Sequence, residues 1–117
     1  MEHGLDPAAR GLLGLARKAG ALLIGMDRLR EAVRQGQPLL ILADPALSAR
    51  SWRELEEWRA ADGRTRVVAV TDMAELNAVL GTRGVRAVGL AAGGFRRGLE
   101  ARLGPLNTGD EGGCQEA

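Results

Sequence analysis

A chain of 117 residues suits one domain and can bury a core without metal or disulfides. Hydrophobic residues at 45% and charged residues at 26% exclude a disordered chain. The formal net charge of +1 by itself signals no nucleic-acid partner.

Asp6-Pro7 predicts a helix start, with a capping side chain and proline at the first helical position. Ala9, Leu12, Leu13 and Ala16 follow at the spacing of one apolar face. Gly20 closes that helix after Arg17 and Lys18, which suit the negative end of its dipole. Ala21 to Ile24 reads as a short strand, and Gly25 turns the chain into a second helix. Met26, Leu29, Ala32 and Val33 give its apolar face, and Gly36 ends it. Leu39 to Ala43 is a continuous apolar run, as expected of a central strand covered on both faces. Ser48 and Ser51 are both cap candidates for the third helix, and Ser51 with Glu54 has capping-box spacing. Trp52, Leu55 and Trp58 are expected inside or half-buried along it. Val67 to Val70 is the next strand. Asp72 with Glu75 is a second capping-box pair, opening a short helix with Met73, Leu76, Val79 and Leu80 expected inside. After the loop Gly81 to Gly84, Val85 to Ala91 reads as the last strand, weakened by Arg86 and Gly89. Gly93-Gly94 opens a last helix carrying Phe95, Leu99 and Leu103. The ordered domain is expected over residues 7–103. The Gly-rich, polar stretch 104–117 is expected to be a disordered tail. Near-alternation of five helices and four strands predicts a helix–sheet–helix sandwich.

Charge is unevenly spread. Arg10 to Gly36 holds six basic residues against Asp27 and Glu31. Gly81 to Leu103 holds five arginines against Glu100. Gln37 to Leu80 is acidic, with five arginines against seven carboxylates. A fold joining the two basic stretches would create a positive patch; otherwise they are scattered solvated charge. All the basic residues but Lys18 are arginine, which suits phosphate contacts, although a GC-rich genome gives the same bias.

The residues of common catalytic pairs are sparse. The only histidine is His3 and the only cysteine is Cys114, at opposite ends, and tyrosine is absent. Ser48 and Ser51 are accounted for as caps, and no carboxylate has a visible catalytic partner. An enzyme is therefore not expected, nor a metal or other cofactor. No phosphate-loop pattern follows a strand, and Gly93-Gly94 is read as a tight turn. Three aromatics are too few for a base-stacking platform. No apolar run approaches the roughly 20 residues of a membrane helix, and the first residues lack a signal pattern. A soluble, cytoplasmic protein is expected.

The phrase Leu13-Gly14-Leu15-Ala16-Arg17-Lys18-Ala19-Gly20 is the most informative in the chain. It is followed by Ile24-Gly25, by Val33-Arg34-Gln35-Gly36, and by Leu39 to Asp44. Val67 to Thr71, Glu75-Leu76, Gly81, Ala87 to Leu90 and Gly94-Phe95 continue the order. Over residues 10–103 this ordered set resembles the ribosomal-protein family that binds kink-turn RNA, in its bacterial YlxQ-type branch. The resemblance is to the large-subunit ribosomal protein seven-Ae type fold. It implies a three-layer α-β-α sandwich with a four-stranded mixed sheet and about five helices.

The resemblance also implies structured RNA, ribosomal in origin, as partner of a monomeric accessory protein in translation or ribosome assembly. In the family, the start of the second helix and the loop before the last strand carry recognition. Here these are Gly25 to Glu31 and Gly81 to Gly84. The residues so implicated are Lys18, Gly25, Asp27, Arg28, Arg30, Glu31, Thr82 and Arg83. Kink-turn binders carry Gly-x-Asn-Glu-x-x-Lys where this chain has Gly25-Met26-Asp27-Arg28-Leu29-Arg30-Glu31. Gly25 matches. Asp27 can accept a hydrogen bond from a guanine edge but cannot donate one, Arg28 replaces Glu, and Glu31 replaces Lys. Arg28, Arg30 and Lys18 are then expected to contact phosphate. The alternative expectation is a protein-interaction module on the same fold that has lost kink-turn specificity. Its motives are the near-neutral charge, the missing Asn-Glu pair and the Trp52/Trp58 flank.

Overall fold

The structure is a computed structural model that describes residues 2–103. The expected tail at 104–117, with Cys114, lies outside the described residues. The elements in chain order are β1 (Glu2–His3), α1 (Pro7–Lys18), β2 (Leu22–Ile24), α2 (Met26–Arg34) and β3 (Leu39–Ala43), then α3 (Ala49–Ala61), β4 (Arg66–Val70), α4 (Met73–Leu80), β5 (Ala87–Ala91) and α5 (Gly94–Leu103).

All five residues of β3 are buried, because the strand lies mid-sheet with helices on both faces. The sheet order is β1-β4-β3-β5-β2. β3 pairs parallel with β4 and antiparallel with β5, and β2 pairs antiparallel with β5. The sheet is therefore mixed, as expected, with the two-residue β1 added beside the four expected strands. Side chains alternate across a strand, so β3 feeds two cores. Leu40 and Leu42 join Val68, Val70, Val88 and Leu90 beneath α1, α4 and α5. Leu39, Ile41 and Ala43 join Leu29, Ala32 and Leu55 of α2 and α3. These are the three expected layers.

The first helix ends behave as the sequence dictates. The Asp6 carboxylate accepts the Ala9 N–H at 2.7 Å. Gly20, at φ +75°, lets the Ala21 N–H reach the Ala16 carbonyl at 2.8 Å and its own N–H reach Arg17.

Several expectations are corrected. Packing begins before Pro7: Leu5 is buried, and β1 pairs with β4. Ser48, not Ser51, caps α3, accepting the Ser51 N–H at 3.1 Å. A turn closed by the Asp44 carboxylate and carbonyl presents Ser48 one turn early, leaving Glu54 to face α2. Asp72 does not cap α4 through its side chain. Its carboxylate accepts the Leu5 N–H and an Arg10 N–H instead, tying down the start of the chain. Val79 is 47% exposed, because Met73, Leu76 and Leu80 already fill the inward stripe of α4. The last strand starts at Ala87, since both backbone groups of Val85 bond to the Asn77 side chain. Trp52 and Trp58, by contrast, are half-buried as expected, against the α2–α3 core.

Gly89 has a packing reason to be glycine. A methyl group there would lie 2.6 Å from Cδ2 of the fully buried Leu29 and 3.3 Å from the Leu40 carbonyl oxygen. Its absence lets α2 settle onto the sheet. Gly89→Ala should destabilise the protein by about 1–3 kcal/mol, through overpacking, in urea or thermal unfolding.

Candidate nucleic-acid interface

At one end of the sheet, β2 and β3 finish where β5 begins, with Ile24 opposite Val88 and Ala43 opposite Ala87. Gly25 follows β2 directly. Its φ of +93° suits glycine, and its N–H donates to the Ala87 carbonyl at 2.9 Å. Asp44 follows β3, and its N–H donates to the Arg86 carbonyl at 2.8 Å. Two backbone hydrogen bonds thus fasten the start of α2 and the end of β3 to the segment entering β5. Among the described residues no side chain caps α2, so its first-turn N–H groups are uncapped, with Asp27 of the same turn set against the positive dipole end.

The loop from Gly81 to Arg86 is held by Asn77. Its amide nitrogen donates to the Met73 carbonyl at 2.9 Å and the Val85 carbonyl at 3.0 Å. Its oxygen accepts the Thr82 hydroxyl at 2.8 Å and the Val85 N–H at 3.1 Å. A depression of about 370 Å³ lies between this loop and the end of β3, its lining including Asp44, Asn77, Arg83, Gly84 and Arg86. Arg86 stands 3.7 Å from Asp44. Asn77 was absent from the sequence-derived site. The available signal was an asparagine inside a short apolar helix, a residue type that competes with the helix for backbone hydrogen bonds.

The structure places the named residues in different settings. Gly25, Arg28 and Arg83 belong to this sheet end, and both arginines are exposed. Neither has an ion pair among the described residues. The side chain of Asp27 is fully exposed and accepts from Arg30 at 2.9 Å. Arg30 is also bound to Glu54 of α3 by two hydrogen bonds, at 2.7 and 3.0 Å. Glu31 lies 3.7 Å from Arg34 and accepts from Gln35. The Thr82 hydroxyl is committed to Asn77. Lys18 lies apart from Gly25, in a groove between α1 and α4 lined also by Gly14, Leu15, Arg17 and Val79.

The expected convergence of the two basic stretches is only partial. Arg83 and Arg86 meet the start of α2, but Arg96 does not. Its guanidinium bonds to Glu100 and to the Arg64 carbonyl, beside the start of β4, at the opposite end of the sheet. Glu100 also holds Arg66 at 3.0 Å.

Hydrogen bonds from Arg30 hold the Glu54 carboxyl below its usual range, against the opposing effect of burial. The same pairing raises Arg30 further above its already high value. A carboxylate with a depressed folded pKa stabilises the fold above its unfolded pKa and loses that contribution as pH falls through the folded value. Glu54→Gln should therefore cost less than about 1 kcal/mol at neutral pH, as for exposed pairs. That difference from the wild type should begin to shrink below the ordinary Glu value of 4.5 and vanish only below the lower folded value, in urea titrations at a series of pH values. Asn77→Ala should destabilise by about 1–3 kcal/mol, because it leaves partly buried backbone groups unsatisfied. It should also speed amide exchange of Thr82 and Val85, read by NMR.

No family model matches the chain, and no curated protein matches it. Among solved structures, the chain is similar to a protein with unknown function from Bacillus halodurans C. The two share 26% identity and a TM-score of 0.73, over 84% of this chain and 98% of the other.

Proposed function

We propose that the protein binds structured RNA through the sheet end formed by the start of α2 and the Gly81–Arg86 loop. The observation that carries this reading is the joining of those two segments by the Gly25–Ala87 hydrogen bond. It brings an uncapped helix start beside a braced loop, and each presents an arginine without an ion pair among the described residues. Helix N-terminal N–H groups suit phosphate and base edges, and arginine forks suit phosphate. The resemblance to kink-turn RNA binders points to the same two segments. Asp27 and Glu31 differ from the family pattern, so the reading is binding to bent RNA without a commitment to the standard kink-turn sequence. The role is that of an accessory protein to ribosomal RNA, with no reaction of its own.

A second reading, a module that docks a protein partner, draws on the groove between α1 and α4. Leu15 and Val79, the two large hydrophobics exposed among the described residues, both line it. The Trp52/Trp58 flank lends it less support, because both rings pack on the core. Pull-downs that survive nuclease and are lost in Leu15→Ser would favour it.

Arg28→Ala combined with Arg83→Ala should weaken binding to ribosomal RNA fragments and lower the log–log salt slope by about 1–2. Unchanged affinity and slope in an anisotropy titration would remove this face from consideration.

A further inference from the structure

We infer that the RNA-binding face continues past α2 onto the first two turns of α3, where Arg50 and Arg53 contact the phosphate backbone of the same RNA. This inference rests on the RNA-binding reading above and extends its footprint.

The fold supplies the continuity. β3 and the strand β2 both finish at the sheet end described above, and α3 and α2 follow them. Both helices cover the same face of the sheet, with Leu29 and Leu55 in one core. The two hydrogen bonds between Arg30 and Glu54 clamp their early turns together. An open cleft of about 680 Å³ lies at this junction, lined by Arg30, Arg50, Ser51, Arg53, Glu54 and Glu57.

Pairing decides the sign of the cleft. Glu54 is held by Arg30, which also binds Asp27 at 2.9 Å. Further along α3, Glu56 binds Arg59 at 2.6 Å, and beyond its end Asp62 binds Arg64 at 3.2 Å. Arg50 and Arg53 are exposed and have no ion pair among the described residues. The lining holds three arginines, Arg30, Arg50 and Arg53, against the two carboxylates Glu54 and Glu57. Two guanidinium groups one turn apart, on the helix beside α2, can track successive phosphates of a strand leaving the α2 start. A protein that holds RNA bent needs contacts on both sides of the bend, because positioning comes mainly from the backbone.

The test titrates the full chain with two RNA probes, a hairpin interrupted by an internal bulge and an uninterrupted duplex, at several KCl concentrations. The variants are Arg50→Ala/Arg53→Ala, Arg28→Ala/Arg83→Ala, and Arg59→Ala as a control whose charge is already paired. Thermal melts check that each is folded. Arg50→Ala/Arg53→Ala should weaken binding of the bulged hairpin severalfold and lower its log–log salt slope by about 1.4–1.8, for two phosphates lost. Arg50→Lys/Arg53→Lys should recover most of the slope. If Arg50→Ala/Arg53→Ala titrates like the wild type while Arg28→Ala/Arg83→Ala is weakened, the face stops at α2 and this inference is wrong. If the wild type binds neither probe, the RNA-binding reading falls and takes the inference with it.

Discussion

β3 is the constraint on which the candidate site depends. Its five residues are all buried, and they alternate between the two cores. A strand shielded on both faces must also satisfy both edges, and it does so with neighbours of opposite sense, β4 parallel and β5 antiparallel. The antiparallel partner brings the chain entering β5 to the place where the chain leaves β3. The hydrogen bond from Asp44 to Arg86 marks that meeting. β2, antiparallel to β5 in turn, delivers Gly25 to the same point. The sheet's pairing pattern thus creates the surface, and surface charge decorates it afterwards.

That ordering explains which features could be read from the sequence. Periodicity and punctuation reflect local rules, so Leu39 to Ala43, the Asp6-Pro7 start and the Gly20 stop behave as the sequence predicts. Layer architecture followed from the alternation of elements, and the core of α1 and α5 from their spacing. The errors share a physical cause: a polar side chain has more than one possible partner, and only the fold selects among them. Asp72 had the spacing of a cap but found the Leu5 N–H and Arg10, brought from 67 and 62 residues away. Glu54 had the spacing of a capping box but found Arg30 on another helix. Val85 reads as strand until the Asn77 side chain takes both of its backbone groups.

Two segments named from the sequence meet in the fold, whereas which of their side chains stay available could not be read from it. The start of α2 and the loop before β5 were named from family resemblance, and the sheet brings them together through Gly25 and Ala87. Resemblance transfers positions, whereas roles depend on neighbours. Thr82 and Arg30 occupy the transferred positions, yet their polar atoms are engaged within the protein, by Asn77 and by Asp27 and Glu54. Arg28 and Arg83 occupy transferred positions and remain without ion pairs among the described residues. The distinction between a structural and an available arginine lies in the tertiary partner, which no local motif encodes.

The same argument applies to whole segments. Counted along the chain, Gln37 to Leu80 is acidic and looks unsuited to a polyanion. Counted after pairing, five of its carboxylates face arginines: Asp44, Glu54, Glu56, Asp62 and Asp72. Three of those arginines, Arg86, Arg30 and Arg10, come from the two basic stretches. The folded chain therefore redistributes charge, drawing cations from the nominally basic segments to cancel acids in the middle. Arg50 and Arg53 of the acidic segment are left without an ion pair among the described residues. A net charge of +1 is then compatible with a locally cationic sheet end, because an ion pair inside the protein removes both signs from the field a ligand meets. What a nucleic acid would encounter is the residue of that cancellation, and it is set by topology more than by composition.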